Sequence, residues 1–364
     1  MSVNRLFSQQ NTHMVCICQK KIVPLHAVTT ITEAKQSFFK KMKHMFKPLS
    51  FIFTLLMVIS VPTQACTSVI VSGKATNSGR PLMLKHRDTD DQKNSVRLFH
   101  GERYTFIGLV NSTSQDSEVW MGTNETGFAI MNTAAYNFRE DSLPDVRMDR
   151  EGELMFLALS ICSTVKDFET LLDTCSKPMG VEANFGVIDA HGGAAYYDVN
   201  NFRWVKYDVN TIPCGYRVVT NFCEAGRRED YQGWDRYCIA SEVMAKEFTT
   251  EVDHRFFFER LSRNTTERNG QRIPRKITSA SIVIEGVPSG TDPLQTVMWT
   301  ILGNPLNHIA EPITLSDYVT GRKDAGRSIC KPNRSRTIAR MRSGGLNRKK
   351  EEHIRSTFLQ QHNR

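Results

Sequence analysis

From residue 66 to about 133 the chain consists of short apolar and β-branched runs punctuated by turn formers, the pattern of strands. TSVIVS over 67–72 and PLMLKH over 81–86 predict two strands, and Asn77-Ser78-Gly79 between them predicts a hairpin turn. Further strands are predicted over 104–110, 118–122 and 128–133, the last two linked by Asn124-Glu125-Thr126-Gly127. The period then changes. Leu154, Leu157, Ala158 and Ile161, followed by Phe168, Leu171 and Leu172, recur at spacings of three and four and predict helices over 150–163 and 165–175, joined at Ser163-Thr164. Strands resume over 183–189, 194–199, 203–209 and 216–220, helices over 237–248 and 254–263, and strands over 281–287 and 296–302. Strands, helices and strands again, without βαβ alternation, predict an α+β fold with helices packed on antiparallel sheets.

The ends of the chain differ from this body. Lys41, Lys43 and Lys47 precede the 13-residue apolar run LSFIFTLLMVISV, which is followed by Pro62 and small or polar residues down to Ala65. This is the order of a secretory signal, and the run is shorter than the roughly 20 residues a membrane span needs. The expected organisation is a leader over 1–65 with the signal peptide over about 42–65, a catalytic domain over 66–321 and a basic, loosely ordered tail over 322–364. Met42 and Met45 are alternative starts. The 364 residues carry a net charge of +9, but 1–65 holds +7 and 322–364 holds +10, leaving the body at −8. An acidic body argues against nucleic-acid binding and confines membrane contact to an uncleaved signal or the tail.

Cleavage after Ala65 would make Cys66 the first residue of an exported protein. Residues 66–364 hold seven cysteines, Cys66, Cys162, Cys175, Cys214, Cys223, Cys238 and Cys330, with no Cys-x-x-Cys spacing to suggest zinc. No ligand cluster is visible, so no metal or organic cofactor is expected. Apart from Cys66, the cysteines read as small buried hydrophobes or an occasional disulfide. Cys66 at an N-terminus carries a thiol and an α-amine, and that amine titrates near about 7.7–8.0, low enough to accept the thiol proton at neutral pH. Nucleophile and base then come from one residue. In the predicted hairpin Cys66 begins one strand and Arg87 ends the next, so the two lie side by side about 5 Å apart.

CTSVIVSGKATNSGRPLMLKHRDTD, VWMGTNETGFAIMNTAAYN, GVEANFGVIDAHGGAAYYDVNNF, GYRVVTNF and SASIVIEGV, in that order, resemble the N-terminal-nucleophile hydrolases of the penicillin V acylase, bile salt hydrolase and acid ceramidase group. The similarity is closer to the acyl-CoA:6-aminopenicillanate acyltransferase-like branch, peptidase family C45, and runs from Cys66 to about Pro312. The resemblance implies a four-layer αββα sandwich and cleavage or transfer at a linear amide bond. Cys66 matches the nucleophile. Arg87 matches the arginine ending the second strand, where a cation favours a thiolate and can orient substrate. Asp90 matches the aspartate that holds the α-amine, with Asp88 as the rival in an uncertain register. Asn132 and Asn221 match the two asparagines near the reacting carbonyl, where amide donors stabilise an oxyanion. The late arginine of some family members has no match in SASIVIEGV. His86 and His191 read as bystanders, and Asn184 is unassigned.

The expected protein is therefore an exported cysteine hydrolase acting on a small-molecule N-acyl or amide substrate through a thioester on Cys66. Acyl transfer to an amine acceptor is one alternative, and a surface binding protein lipidated on Cys66 is another. Relatives that form dimers or tetramers leave a homo-oligomer open to this chain.

Overall fold

A computed structural model describes residues 65–321, apart from 115–116, 141 and 143–146. The expected leader and basic tail, with Cys330, lie outside the described residues. The strands, in chain order, are β1 (Thr67–Val71), β2 (Leu82–Asp88), β3 (Asn94–His100), β4 (Thr105–Asn111), β5 (Met121–Asn124), β6 (Ala129–Ala134), β7 (Ala183–Ile188), β8 (Ala194–Val199), β9 (Trp204–Asp208), β10 (Tyr216–Val219), β11 (Thr278–Glu285), β12 (Val297–Leu302) and β13 (Glu311–Ile313). One sheet runs β10-β1-β2-β11-β12-β13 and the other β3-β4-β5-β6-β7-β8-β9. Their strand pairs are antiparallel.

The helices are α1 (Glu151–Ile161), α2 (Val165–Thr174), α3 (Trp234–Glu247), α4 (His254–Phe256) and α5 (Leu315–Val319), with α4 continuing as a π-helical turn over Phe257–Ser262. The break between α1 and α2 falls at Ser163-Thr164, as the sequence suggests. Thr164 caps α2 in a reciprocal box with Asp167.

Period-two alternation sorts the strands into layers. Ile70, Met83, Ile282 and Ile284 of the first sheet meet Ile107, Leu109, Met121, Met131 and Tyr196 of the second. On its other face the second sheet presents Phe128, Ile130, Phe185 and Val187 to Leu154, Met155, Leu159 and Phe168 of α1 and α2. The first sheet likewise presents Val69, Val71, Leu82 and Leu84 to Ile239, Val243 and Met244 of α3 and to Phe257 and Leu261. The layering is thus αββα, the expected α+β sandwich.

The hairpin forms in the predicted register. Thr67 pairs with His86 and Ser68 with Lys85. Both strands are buried on both faces, and β2 turns polar from Lys85 onwards, at the end nearest Cys66. Two strands go beyond the sequence reading. β3 is the edge of the second sheet, with Val96 packed inward and exposure rising towards His100. β13 is a three-residue edge containing Pro312, where a missing N–H is tolerated. Of the remaining cysteines, Cys162, Cys223 and Cys238 are buried and Cys175 and Cys214 half-buried, none of them in a disulfide.

Candidate active site

The site follows from strand alternation at one end of the first sheet. On β2, Met83, Lys85 and Arg87 face the second sheet, while Leu84, His86 and Asp88 face the helix layer. On β1, Ser68 faces inward and accepts a hydrogen bond from Tyr196 Oη, whereas Thr67 faces α3. Cys66, one residue before β1, shares the inward face with Ser68. Extending the register places it opposite Arg87, with Lys85 on the diagonal.

The main chain of Cys66 is held from the helix side. Its nitrogen, still joined to the buried Ala65, donates to Asn221 Oδ1 at 2.8 Å. Its carbonyl accepts from Arg236 Nη1 at 2.5 Å, and the same Nη1 lies 2.9 Å from Thr67 Oγ1. Arg236 Nη2 donates to Asn221 Oδ1 at 2.7 Å, so one oxygen joins the Cys66 nitrogen and the guanidinium. Asn221 Nδ2 donates to the Ala134 carbonyl at 2.8 Å, which fixes which way the amide points. Arg236 is 2% exposed. Burial pulls its guanidinium below the usual arginine range, and the charge of Asp88 opposes the shift. Gly233 at the N-terminus of α3 has φ of +78°, and a Cβ there would stand 2.5 Å from Arg236 Nη2. Glycine is therefore required both for the turn and for room beside the guanidinium.

Asp88 is 1% exposed. It accepts from Thr278 Oγ1 at 2.5 Å and lies 3.5 Å from Arg275 Nη1. Burial pushes its carboxyl up to about 6 against the pull of Arg236. Asp90, two residues on, is exposed. Of the rival aspartates, Asp88 is thus the one on which the buried Arg236 and the half-buried Arg275 act.

On the inward side, Arg87 donates through Nη1 to Asn94 Oδ1 and through Nη2 to Asn111 Oδ1 at 2.7 Å, and its guanidinium lies over the Trp120 ring at 4.8 Å. β3, which sequence periodicity does not reveal, supplies Asn94. Burial brings the Arg87 guanidinium down to about 10. Lys85 Nζ donates to the Trp120 carbonyl and to Asn132 Oδ1, each at 2.6 Å. Burial pulls this ammonium down to about 8, with Cys66 opposing and Arg87 adding to the fall. Asn132 therefore joins the site through Lys85. Tyr136 is near enough for the Cys66 charge to act on it, and burial raises its phenol to about 12.

The remaining sequence candidates lie elsewhere. His86 is buried against the helix layer, 2.8 Å from Ser262 Oγ, and burial drives its ring down to about 3, keeping it neutral. His191 is exposed in a turn. Asn184 donates to Thr133 Oγ1 and to the carbonyls of Thr220 and Phe222, bracing the segment around Asn221. Among the described residues no group of three or more His, Cys, Asp or Glu is placed to hold a metal ion.

Arg236 was not legible as a site residue from motif order. It precedes Ile239, Ala240 and Val243 by three, four and seven, so it occupies the apolar face of α3. A charge on such a face is the signal that marks it.

No protein-family model matches the chain, and no curated protein matches it in sequence. In structure it is similar to a variant of conjugated bile acid hydrolase from Clostridium perfringens, at 11% identity and TM-score 0.46 over 72% of this chain and 94% of the other. It is also similar to the Caenorhabditis elegans ortholog of N-acylethanolamine-hydrolyzing acid amidase, at 18% identity and TM-score 0.47 over 65% and 100%. Penicillin V acylase from Agrobacterium tumefaciens gives 15% identity and TM-score 0.44 over 69% and 86%. These solved structures are by name a hydrolase, an amidase and an acylase.

Proposed function

We propose that the chain is an exported N-terminal cysteine amidohydrolase that cleaves a linear N-acyl bond through a thioester on Cys66. The observation that carries this reading is the division of Cys66 between two faces. Its nitrogen and carbonyl are gripped by Asn221 and Arg236, while its side chain shares the inward face with Lys85 and Arg87. Any buried main-chain nitrogen needs an acceptor, but this one has a side-chain amide oxygen that is itself held by a buried guanidinium, 155 positions away in sequence.

Removal of Ala65 and everything before it turns the gripped amide into an α-amine. Asn221 Oδ1 then accepts one amine N–H, leaving the lone pair free for the thiol proton. The Arg236 cation, sharing that oxygen, disfavours protonation of the amine before reaction. Sulfur attacks the acyl carbon as its proton passes to the α-nitrogen. The C–N bond breaks, the leaving amine takes the proton, and a thioester remains on Sγ. Water attacks next, the α-amine accepts its proton, and collapse releases the acid and restores the thiol. Arg87, fixed by Asn94 and Asn111, bounds the inward side. Asp88 acts as the counterion of Arg236.

The test is intact mass and N-terminal sequencing of the secreted protein, followed by a screen of N-acyl amines and N-acyl amino acids with native protein and Cys66→Ser. The expected result is a chain beginning at unmodified Cys66 whose activity the substitution abolishes. A mature chain with residues still ahead of Cys66, a lipid on its nitrogen, or activity indifferent to Cys66→Ser would overturn the proposal.

A further inference from the structure

Lys85 is a buried lysine, 2% exposed, whose two hydrogen-bond acceptors are neutral, the Trp120 carbonyl and Asn132 Oδ1. Taking an ammonium out of water for two neutral oxygens is unfavourable, and Met83, the preceding residue on the same face, shows that an apolar side chain fits this layer. Packing therefore does not account for the charge. The titratable groups that act on Lys85 are Cys66, one residue before the neighbouring strand, and Arg87, on its own strand. From the second sheet it meets the uncharged Trp120 and Asn132. An ammonium has three N–H donors, and these bonds take two. None of the residues matched by resemblance is a lysine.

We propose that Lys85 is a charge-stabilising residue of the reaction, its ammonium moored on Trp120 and Asn132 so as to offset the negative charge that develops at Cys66 and at the attacked carbonyl. This rests on the nucleophilic role of Cys66. The proton leaving Sγ still goes to the α-nitrogen, and no bond to Lys85 forms or breaks. Its contribution is a fixed positive charge in a site poor in water, where such charges act strongly. Asn132 is in this account the mooring of the cation.

The experiment compares alkylation of Cys66 by iodoacetate, an anion, and by iodoacetamide, which is neutral, in the mature native protein, Lys85→Met and Lys85→Arg, reading Cys66 alone by peptide mass. A cation beside the thiol draws in the anionic reagent. The iodoacetate-to-iodoacetamide ratio is expected to fall about tenfold in Lys85→Met and to stay within about twofold of native in Lys85→Arg, as expected for one partly screened unit charge on a diagonal strand position. With a turned-over N-acyl substrate, kcat is expected to fall roughly 100-fold in Lys85→Met with little change in KM, and Lys85→Arg is expected to recover part of the loss. A folded Lys85→Met with native ratio and native kcat would overturn the inference. Should methionine prevent folding, Lys85→Gln keeps a donor for Trp120, removes the charge and decides by the same ratio. Activity that depends on Cys66 alongside an unchanged ratio defeats the role of Lys85 alone. Native protein without Cys66-dependent activity defeats the proposed function as well.

Discussion

Replacing Asn221 by aspartate changes one NH2 group to oxygen and tests how the base is held. The carboxylate would still face the Cys66 nitrogen, now 2.8 Å away, and Arg236 Nη2, 2.7 Å away. Two consequences follow. The bond from Asn221 Nδ2 to the Ala134 carbonyl is replaced by two oxygens in opposition, a loss of about 1–3 kcal/mol in stability. The α-amine also exchanges a neutral partner beside a cation for an anion that neutralises that cation. An adjacent opposite charge favours the charged form and should raise the α-ammonium by about 1–2 pH units. Starting from the reference range near 7.7–8.0, the unprotonated fraction at pH 7.5 falls by roughly 7- to 70-fold. Stability is read from the urea midpoint, and the base from the pH dependence of kcat/KM. The acid limb should move to higher pH by about 1–2 units, with most activity regained at alkaline pH. A folded Asn221→Asp protein whose acid limb stays in place would refute the assignment of Asn221 as the holder of the base.

Three further outcomes are expected. Arg236→Met leaves the Cys66 carbonyl and Thr67 hydroxyl without their donor and Asp88 without one of its cations, and should lower stability by about 3–5 kcal/mol in urea titration, with kcat reduced about 100-fold or more where the protein folds. Asp88→Asn removes the counter-charge of Arg236 and should impair turnover, whereas Asp90→Asn, at an exposed position, should stay within about 0.5 kcal/mol of native with turnover unchanged. A stable Asp90→Asn protein without activity would return the assignment to Asp90. Glu151 is buried and pushed up to about 7, its Oε1 accepting from the Glu182 nitrogen. Its folded value lies above the unfolded one, so its stabilising contribution is complete below about pH 4.5 and lost as pH rises through 7. Glu151→Gln removes that dependence and should gain about 2 kcal/mol on the native protein between pH 5 and 8, read from urea midpoints at the two values.

The hairpin that carries Cys66 and Arg87 was legible because both strands are buried on both faces, and turn residues bound them. The π-helical turn was read as ordinary helix, since its apolar spacing is the same. β3 was not legible. Polar Ser95 and Arg97 on either side of Val96 read like the charged loop before them, although Ser95 is buried. With β3 went Asn94 and hence the anchoring of Arg87. Spacing offered both Asp88 and Asp90 as the acid of the site. Strand alternation turned Asp88 into the helix layer and left Asp90 past the end of β2, a difference of burial that spacing does not encode. The grip of Arg236 on Cys66 spans 170 positions of sequence. No local pattern carries such a contact, and only the misplaced charge on the face of α3 points to it.

The placing of one residue across a strand has a consequence for how such a protein can change. What lies above the thiol is built from the second sheet and its connections, whereas what holds the nitrogen is built from α3 and the Asn221 segment. Apart from Trp120 and Asn132, which moor Lys85, and Asn94 and Asn111, which fix Arg87, substitutions in the first set would change which substrates fit without loosening the grip on the Cys66 nitrogen. Substitutions in the second reach every substrate equally. A library aimed at new selectivity should therefore be confined to the inward side, and a loss of activity that is uniform across substrates is the mark of damage on the other.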